Sequence, residues 1–141
     1  MTEKTSDFWQ DHSERYLEMA FRADRRGSIA HPDGYGKHTG ECGDTVEIFL
    51  SVRDNRIESV MFQMNGCLNT SACANAVAQL AEGCVVAEAW EIRPETVIET
   101  LQTLPSDHYH CAELVVGAFY RALADHNELQ RRPWKKNYRT R

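Results

Sequence analysis

No stretch of the 141 residues approaches the roughly 20 consecutive apolar residues that a membrane-crossing helix needs. The opening MTEKTSDFWQ holds no apolar core of signal-peptide length, so the expected compartment is the cytoplasm and no membrane partner is expected. Proline (four) and glycine (eight) are sparse, and no internal repeat or low-complexity linker interrupts the chain, so wholesale disorder is excluded. A disulfide framework is absent too, because five cysteines is an odd number at long, uneven spacings. In a reducing cytosol they read as thiolates. What remains is a globular composition, 42% hydrophobic and 26% charged, long enough for one core and too short for two.

Charge is uneven. Arg131 to Arg141 carry six of the sixteen Lys and Arg and no acid, which leaves ten cations against 21 acids in the rest of the chain. We therefore divide the chain into one domain, 1–130, and a flexible basic tail, 131–141. The tail could dock an acidic partner, but nothing else in an acidic chain points to nucleic acid.

Apolar spacing places the elements. Ser6 or Asp7 caps a helix running through Phe8, Tyr16, Leu17, Met19 and Phe21 to Arg25-Arg26-Gly27. A Gly- and His-rich loop follows, from Gly27 to Gly43. Val46, Ile48, Leu50 and Val52 then alternate with Glu47, Phe49 and Ser51, Asp54-Asn55 turns the chain, and Val60, Phe62 and Met64 continue the alternation on a return strand. From Asn69 to Glu82 the period changes to about 3.6, with Cys73, Ala76, Val77 and Leu80 on one face and Gly83 as the stop. Pro94 opens a helix through Val97, Ile98 and Leu101, and a last helix from about Tyr109 buries Leu114, Val115, Ala118, Ala122 and Leu123. Strands first and helices later indicate an α+β fold.

On this map Cys42 lies just before the first strand, Cys67 between the second strand and a helix, and His110-Cys111 at the start of the last helix. The two ends of an antiparallel hairpin are adjacent, so Cys42 and Cys67 are expected to be close. Helix N-termini favour thiolates, which makes Cys67 and Cys111 the expected better nucleophiles and ligands, with Cys42 chiefly a ligand. Soft thiolates with one N or O ligand suit zinc or iron-sulfur chemistry.

Cys42-Gly43-Asp44, then Gly66-Cys67 at the end of a hairpin strand, then Leu104-Pro105 and His110-Cys111 opening a helix resembles the IscU-type, or NifU N-terminal domain, iron-sulfur cluster assembly scaffolds. The likeness runs from about Tyr16 to Asn127. It implies an α+β fold, SufE/NifU-like, with a small antiparallel sheet of about three strands under several helices. It also implies a protein that is not an enzyme in the turnover sense. Such a scaffold receives persulfide sulfur from a PLP-dependent cysteine desulfurase, builds a transient [2Fe-2S] cluster with iron, and passes it to apo iron-sulfur client proteins, with zinc as a possible resting metal. By the resemblance, Cys42, Cys67 and Cys111 are the cluster cysteines, Cys111 and Cys67 at their helix starts are the candidate persulfide acceptors, Asp44 keeps the cluster labile or ligates, and His110 is the neighbouring histidine. Leu104-Pro105-Ser106-Asp107-His108 lacks the second proline and the lysine of the segment that an Hsp70-type chaperone reads, which puts that partner in doubt. No insertion like that of the SufU branch lies between Leu80 and Cys111.

Plainer readings stand beside these. Cys73 and Cys84 read as core residues, Asp44 as a turn residue bonding local amides, and His31, His38 and His108 as solvated loop residues. Two other functions also fit the thiols: a zinc-containing sulfurtransfer partner of the desulfurase, relaying persulfide without building a cluster, and a structural zinc domain.

Overall fold

The structure, a computed structural model, describes residues 12–41 and 43–138. Three strands, β1 (Gly34–Thr39), β2 (Thr45–Arg53) and β3 (Arg56–Asn65), form an antiparallel sheet in the order β1-β2-β3. Among the described residues five α-helices accompany them: α1 (Glu14–Phe21), α2 (Leu68–Ala81), the short α3 (Val86–Ala89), α4 (Pro94–Leu101) and α5 (Tyr109–Arg131). Helix α5 lies across β1 and β2, α2 packs on β3 and α5, and α1 and α4 pack on α2. The α+β architecture and its three-stranded sheet are as expected.

The hairpin follows from its residues. Asp54 and Asn55 take φ of 54° and 64°, the left-handed pair that a two-residue hairpin turn requires. Val46, Ile48 and Leu50 point into the core, but Phe49 on the opposite face is buried as well and lies against Tyr35, with ring centroids 5.2 Å apart. Register pairs Thr45 with Asn65, so the segment leading into β2 and the segment leaving β3 sit side by side.

Strand β1 falls where a loop is expected. Gly34-Tyr35-Gly36-Lys37-His38-Thr39 shows no apolar alternation, and glycine weakens strands. The glycines are there because α5 crosses so closely: a Cβ on Gly34 would stand 2.6 Å from the Ala122 carbonyl oxygen, and one on Gly36 would fall inside the backbone at Ala118 and Ala122. The strand is held from outside as well, since the Tyr35 N–H donates to Asp125 at 2.9 Å.

The first helix ends earlier than expected. Its proposed start at Ser6 or Asp7, and Phe8, lie outside the described residues. Within them, Ser13 caps α1 by accepting the Tyr16 N–H at 3.0 Å. The helix stops at Phe21 instead of running to Arg25, because the buried Asn75 amide of α2 takes its last free carbonyls, Met19 at 2.8 Å and Arg22 at 3.0 Å. Arg25 to Gly27 then extend along β3: Phe62 donates to the Arg25 carbonyl and accepts from the Gly27 N–H, both at 2.9 Å. The buried Arg25 guanidinium forms a two-pronged ion pair with Glu82 at 2.7 and 3.0 Å. At the other end of β3, Cys84, Gly83 and Val86 exchange backbone hydrogen bonds with Asn55 and Ile57, so most of that sheet edge is covered.

Helix α2 is buried on nearly every side from Thr70 to Ala78, more than a one-faced pattern suggests. Its alanines allow the sheet, α1, α4 and α5 to approach together. Cys73 sits fully inside as expected, and Cys84 is half-buried with its thiol donating to the Leu80 carbonyl at 3.2 Å. Of the basic tail, Pro133–Tyr138 forms a 3₁₀ helix, and its lysines turn back onto acids: Lys136 reaches Asp33 at 2.6 Å and Lys135 reaches Glu128 at 3.1 Å.

Candidate metal centre

Three chain segments meet at one end of the hairpin. Cys67 is the N-cap of α2, set there by the end of β3 at Asn65, and its side chain makes no capping bond to the helix backbone. Cys111 lies in the first turn of α5, and His108 closes a short 3₁₀ turn, Ser106–His108, leading into that helix. The Cys67 and Cys111 sulfurs and a ring nitrogen of His108 all lie within 4.8 Å of one another. Two thiolates on one tetrahedral zinc stand about 3.7 Å apart given Zn–S bonds of about 2.3 Å, so small side-chain adjustments would close this set around a single ion.

Thr70 organises the pair. Its hydroxyl, fully buried, donates to Cys111 Sγ at 3.6 Å and lies 3.8 Å from Cys67 Sγ. Gly66 makes room for it, since a Cβ there would stand 2.9 Å from Thr70 Oγ1. Behind the thiols, Tyr16 donates to Asn69 Oδ1 at 2.6 Å, tying α1 to the first turn of α2.

The two sulfurs differ in exposure and in acidity. Cys67 is exposed; burial alone would raise its pKa, but the backbone and side-chain donors of Thr70 and Asn69 outweigh it and hold the thiol below its ordinary value. Cys111 is 1% exposed, and burial pushes its thiol up to about 11, with the nearby Cys67 and Asp44 charges adding and the Thr70 hydroxyl opposing. The donors that favour the Cys67 thiolate lie in the first turn of α2, whereas at Cys111 desolvation is the larger effect. Cys73 is driven well above the ordinary value by burial, as suits a core residue.

Among the other expected site residues, Cys42 lies outside the described residues. Asp44 is half-buried just before β2, its carbonyl accepting the Gly40 N–H at 2.9 Å, and its charge is felt at Cys111. His110 is exposed, with Nε2 at 3.8 Å from Cys111 Sγ. His108, expected to be solvated, is instead half-buried with Nδ1 at 3.9 Å from the same sulfur, and it alone of the two joins the close set with Cys67. The signal for it was the three-residue spacing from His108 to Cys111, which puts both on one side of a helix start; Cys67 and Thr70 repeat it on α2.

Residues 13–133 match the family described as NifU-like N terminal domain. The chain belongs to this family. Among relatives of this NifU-like domain, the iron-sulfur cluster assembly scaffold protein IscU 1 of Archaeoglobus fulgidus is 37% identical over 101 residues, 71% of this chain and 66% of the relative, so the chain spans just under two thirds of that protein's length. The mitochondrial iron sulfur cluster assembly protein 1 of Yarrowia lipolytica is 36% identical over 87 residues, 61% of this chain and 48% of the relative. In structure, the NifU-like domain is similar to a nitrogen-fixing NifU-like protein (N-terminal) from Brucella abortus, with TM-score 0.69 at 18% identity over 85% of this chain and 97% of that one. A scaffold protein for the SUF system from Fervidobacterium islandicum superimposes with TM-score 0.66 at 17% identity, covering 82% and 98%. These likenesses show the fold. Among the described residues no helix is long and apolar enough to cross a membrane.

Proposed function

We propose that this NifU-like domain is a scaffold on which a labile [2Fe-2S] cluster is assembled from iron and sulfur and then passed to apo-proteins. The observation that carries this reading is the convergence of Cys67, Cys111 and His108 where a hairpin and two helix starts meet. In this reading Cys67 and Cys111 are thiolate ligands, Cys42 is the third, and Asp44 or a histidine, His108 or His110, completes the shell. Three thiolates with one exchangeable O or N donor give an incomplete shell that can release its cargo. Zinc, with the same taste for S and N donors, is the resting metal. A scaffold returns unchanged only after handing its product on, so the chain is not an enzyme in the turnover sense.

Sulfur arrives from a PLP-dependent cysteine desulfurase. The Cys67 thiolate attacks the outer sulfur of the donor's cysteine persulfide, the donor's S–S bond breaks, its cysteine leaves as thiolate, and Cys67 carries the new persulfide. Exposure and lowered pKa favour Cys67 for this step, with Cys111 as the sulfur that waits until metal displaces its proton. We take 1–130 as the scaffold domain working in the cytoplasm and 131–141 as an appended basic segment.

The same exposed thiol favours a second reading, a zinc-containing sulfurtransfer partner that relays persulfide and builds no cluster. Anaerobic reconstitution with iron and sulfide separates them. Sulfur-to-iron charge-transfer absorption that is lost on transfer to an apo-ferredoxin is expected for the scaffold. Zinc that iron and sulfide cannot replace would leave the relay.

A further inference from the structure

Three arginines stand in the segment between α1 and β1, and the nearby carboxylates are shared unequally among them. Arg22 takes Asp24 at 2.6 Å and Arg25 takes Glu82 at 2.7 Å, whereas Arg26 has no ion-pair partner among the described residues. Arg26 is exposed yet held in place. Two hydrogen bonds to β3 bracket its backbone, from the Phe62 N–H to the Arg25 carbonyl and from the Gly27 N–H to the Phe62 carbonyl, both at 2.9 Å. Its side chain is fixed as well: Nη2 donates to Ser71 Oγ at 3.2 Å, and Cζ lies 5.5 Å from the centroid of the Phe62 ring. Holding so long a side chain costs rotamer entropy that a freely solvated arginine would keep.

Ser71 decides where that cation stands. Side chains turn by about 100° per residue along a helix, so Cys67, at the start of α2, falls between Thr70 and Ser71 around the axis. On the Thr70 side lie Cys111 and His108; on the Ser71 side lies the Arg26 guanidinium. Residues four apart have Cβ atoms about 5 to 6 Å from each other, so the guanidinium bonded to Ser71 stands about one helical turn from the exposed thiol.

We propose that Arg26 is the positioning residue for sulfur acceptance at Cys67, its guanidinium drawing in an anionic sulfane-sulfur donor and neutralising the perthiolate that forms. The inference rests on the scaffold reading and adds a specificity to its first step. When the Cys67 thiolate attacks the outer sulfur of a persulfide, the donor's S–S bond breaks and its cysteine leaves as thiolate. One negative charge is spread over three sulfurs during that exchange. The new outer sulfur then gives its proton to solvent, and the charge on Cys67 comes to rest one S–S bond, about 2.05 Å, further out. Thr70 and Asn69 donate to the resting sulfur; the outer sulfur extends beyond them, and the cation fixed beside Cys67 serves it. In a chain of formal net charge −5, such a cation also offsets the repulsion that an anionic donor meets.

Competing reagents test this on the apo full-length chain, with modification of the Cys67 peptide followed by mass spectrometry above the labelling midpoint, where that thiol is fully ionised. Iodoacetate and iodoacetamide differ in charge and little in size, and inorganic polysulfide is the sulfur probe. Arg26→Gln should slow iodoacetate and polysulfide about two- to threefold at low ionic strength, and less at high salt, with the iodoacetamide rate unchanged. Arg26→Lys should restore both anionic rates. Arg56→Gln, which removes the same charge at the far end of β3, should leave them as they were. Equal iodoacetate-to-iodoacetamide ratios in the original protein and Arg26→Gln, an equal loss in Arg56→Gln, or a loss that Arg26→Lys does not restore would overturn the proposal. Reconstitution with iron and sulfide needs no persulfide and should succeed equally in Arg26→Gln. Its failure in both proteins would count against the scaffold reading, while the reagent ratios judge Arg26 alone.

Discussion

Replacing Thr70 by valine removes one oxygen from the middle of the metal centre and leaves its shape intact. Both residues are β-branched, so the backbone of α2 loses no preference, and the site is fully buried, so no solvent replaces the hydroxyl. In the apo protein the lost contact is a weak bond to sulfur, worth about 0.5 to 1.5 kcal/mol, offset by removal of a buried polar group. At about 3 °C per kcal/mol for a chain of this length, the unfolding temperature should move by no more than a few degrees. The metal-bound state is different, because the hydroxyl then faces two thiolates at 3.6 and 3.8 Å. A hydrogen bond to a charged group is worth about 1.5 to 3 kcal/mol, which predicts a roughly ten- to hundredfold loss of zinc affinity. Competition with a chromophoric chelator measures it, and iodoacetamide labelling against pH should show the Cys67 midpoint moved upward, since the Thr70 side chain is one of the donors that lower it. Thr70→Ser should restore both. Unchanged zinc affinity and an unchanged labelling midpoint in Thr70→Val would refute the account of Thr70 as the group that organises the thiols.

Other expectations follow from the same geometry. Incubation with a desulfurase and cysteine, without iron, should place persulfide on Cys67, as read by mass spectrometry of the trapped protein; labelling confined to Cys73 or Cys84 would contradict the exposure argument. Asp44→Ala should lengthen the life of a reconstituted cluster in air and slow its transfer to an acceptor, because an exchangeable oxygen is removed; unchanged kinetics would leave Asp44 with its local turn role alone. Gly36→Ala should destabilise the fold by about 1 to 3 kcal/mol or more in thermal unfolding, since its Cβ would enter the α5 backbone. Because the folded Cys111 pKa is raised to about 11, the stability that its neutral thiol contributes is intact below the ordinary thiol range and is lost as pH rises toward 11; urea midpoints of the apo protein should fall over that interval, and less so in Cys111→Ala.

The hairpin, α4 and α5 were readable because their apolar periods match the faces they bury, and α2 was readable as a helix although its burial exceeds the one face its period marks. Strand β1 was hidden because its reason to be a strand lies outside it: Gly34 and Gly36 look like loop residues until α5 is seen to need their missing side chains. The end of α1 was hidden for a similar reason, being decided by Asn75 of another helix. At the site, residue type and position at element ends were enough to bring Cys67 and Cys111 together. They were not enough to tell His108 from His110, because two histidines flanking a helix start are equivalent in sequence and are separated only by which one the 3₁₀ turn aims at Cys67. Nor could they reveal that Cys111 is buried, since the desolvation comes from packing and not from its neighbours in the chain.

Thr70 and Cys111 are 41 residues apart, and Tyr35 is fastened to Asp125 across 90. Loop-closure entropy of that order must be met before β1, α2 and the start of α5 are in place together. The donor set therefore comes into being only with the final tertiary structure, and no local segment of the chain can carry it. A metal held by this set would be thermodynamically linked to global folding, and a chelator would then act on the whole protein as a mild denaturant does, lowering the free-energy gap by an amount that grows with the logarithm of the metal concentration it removes.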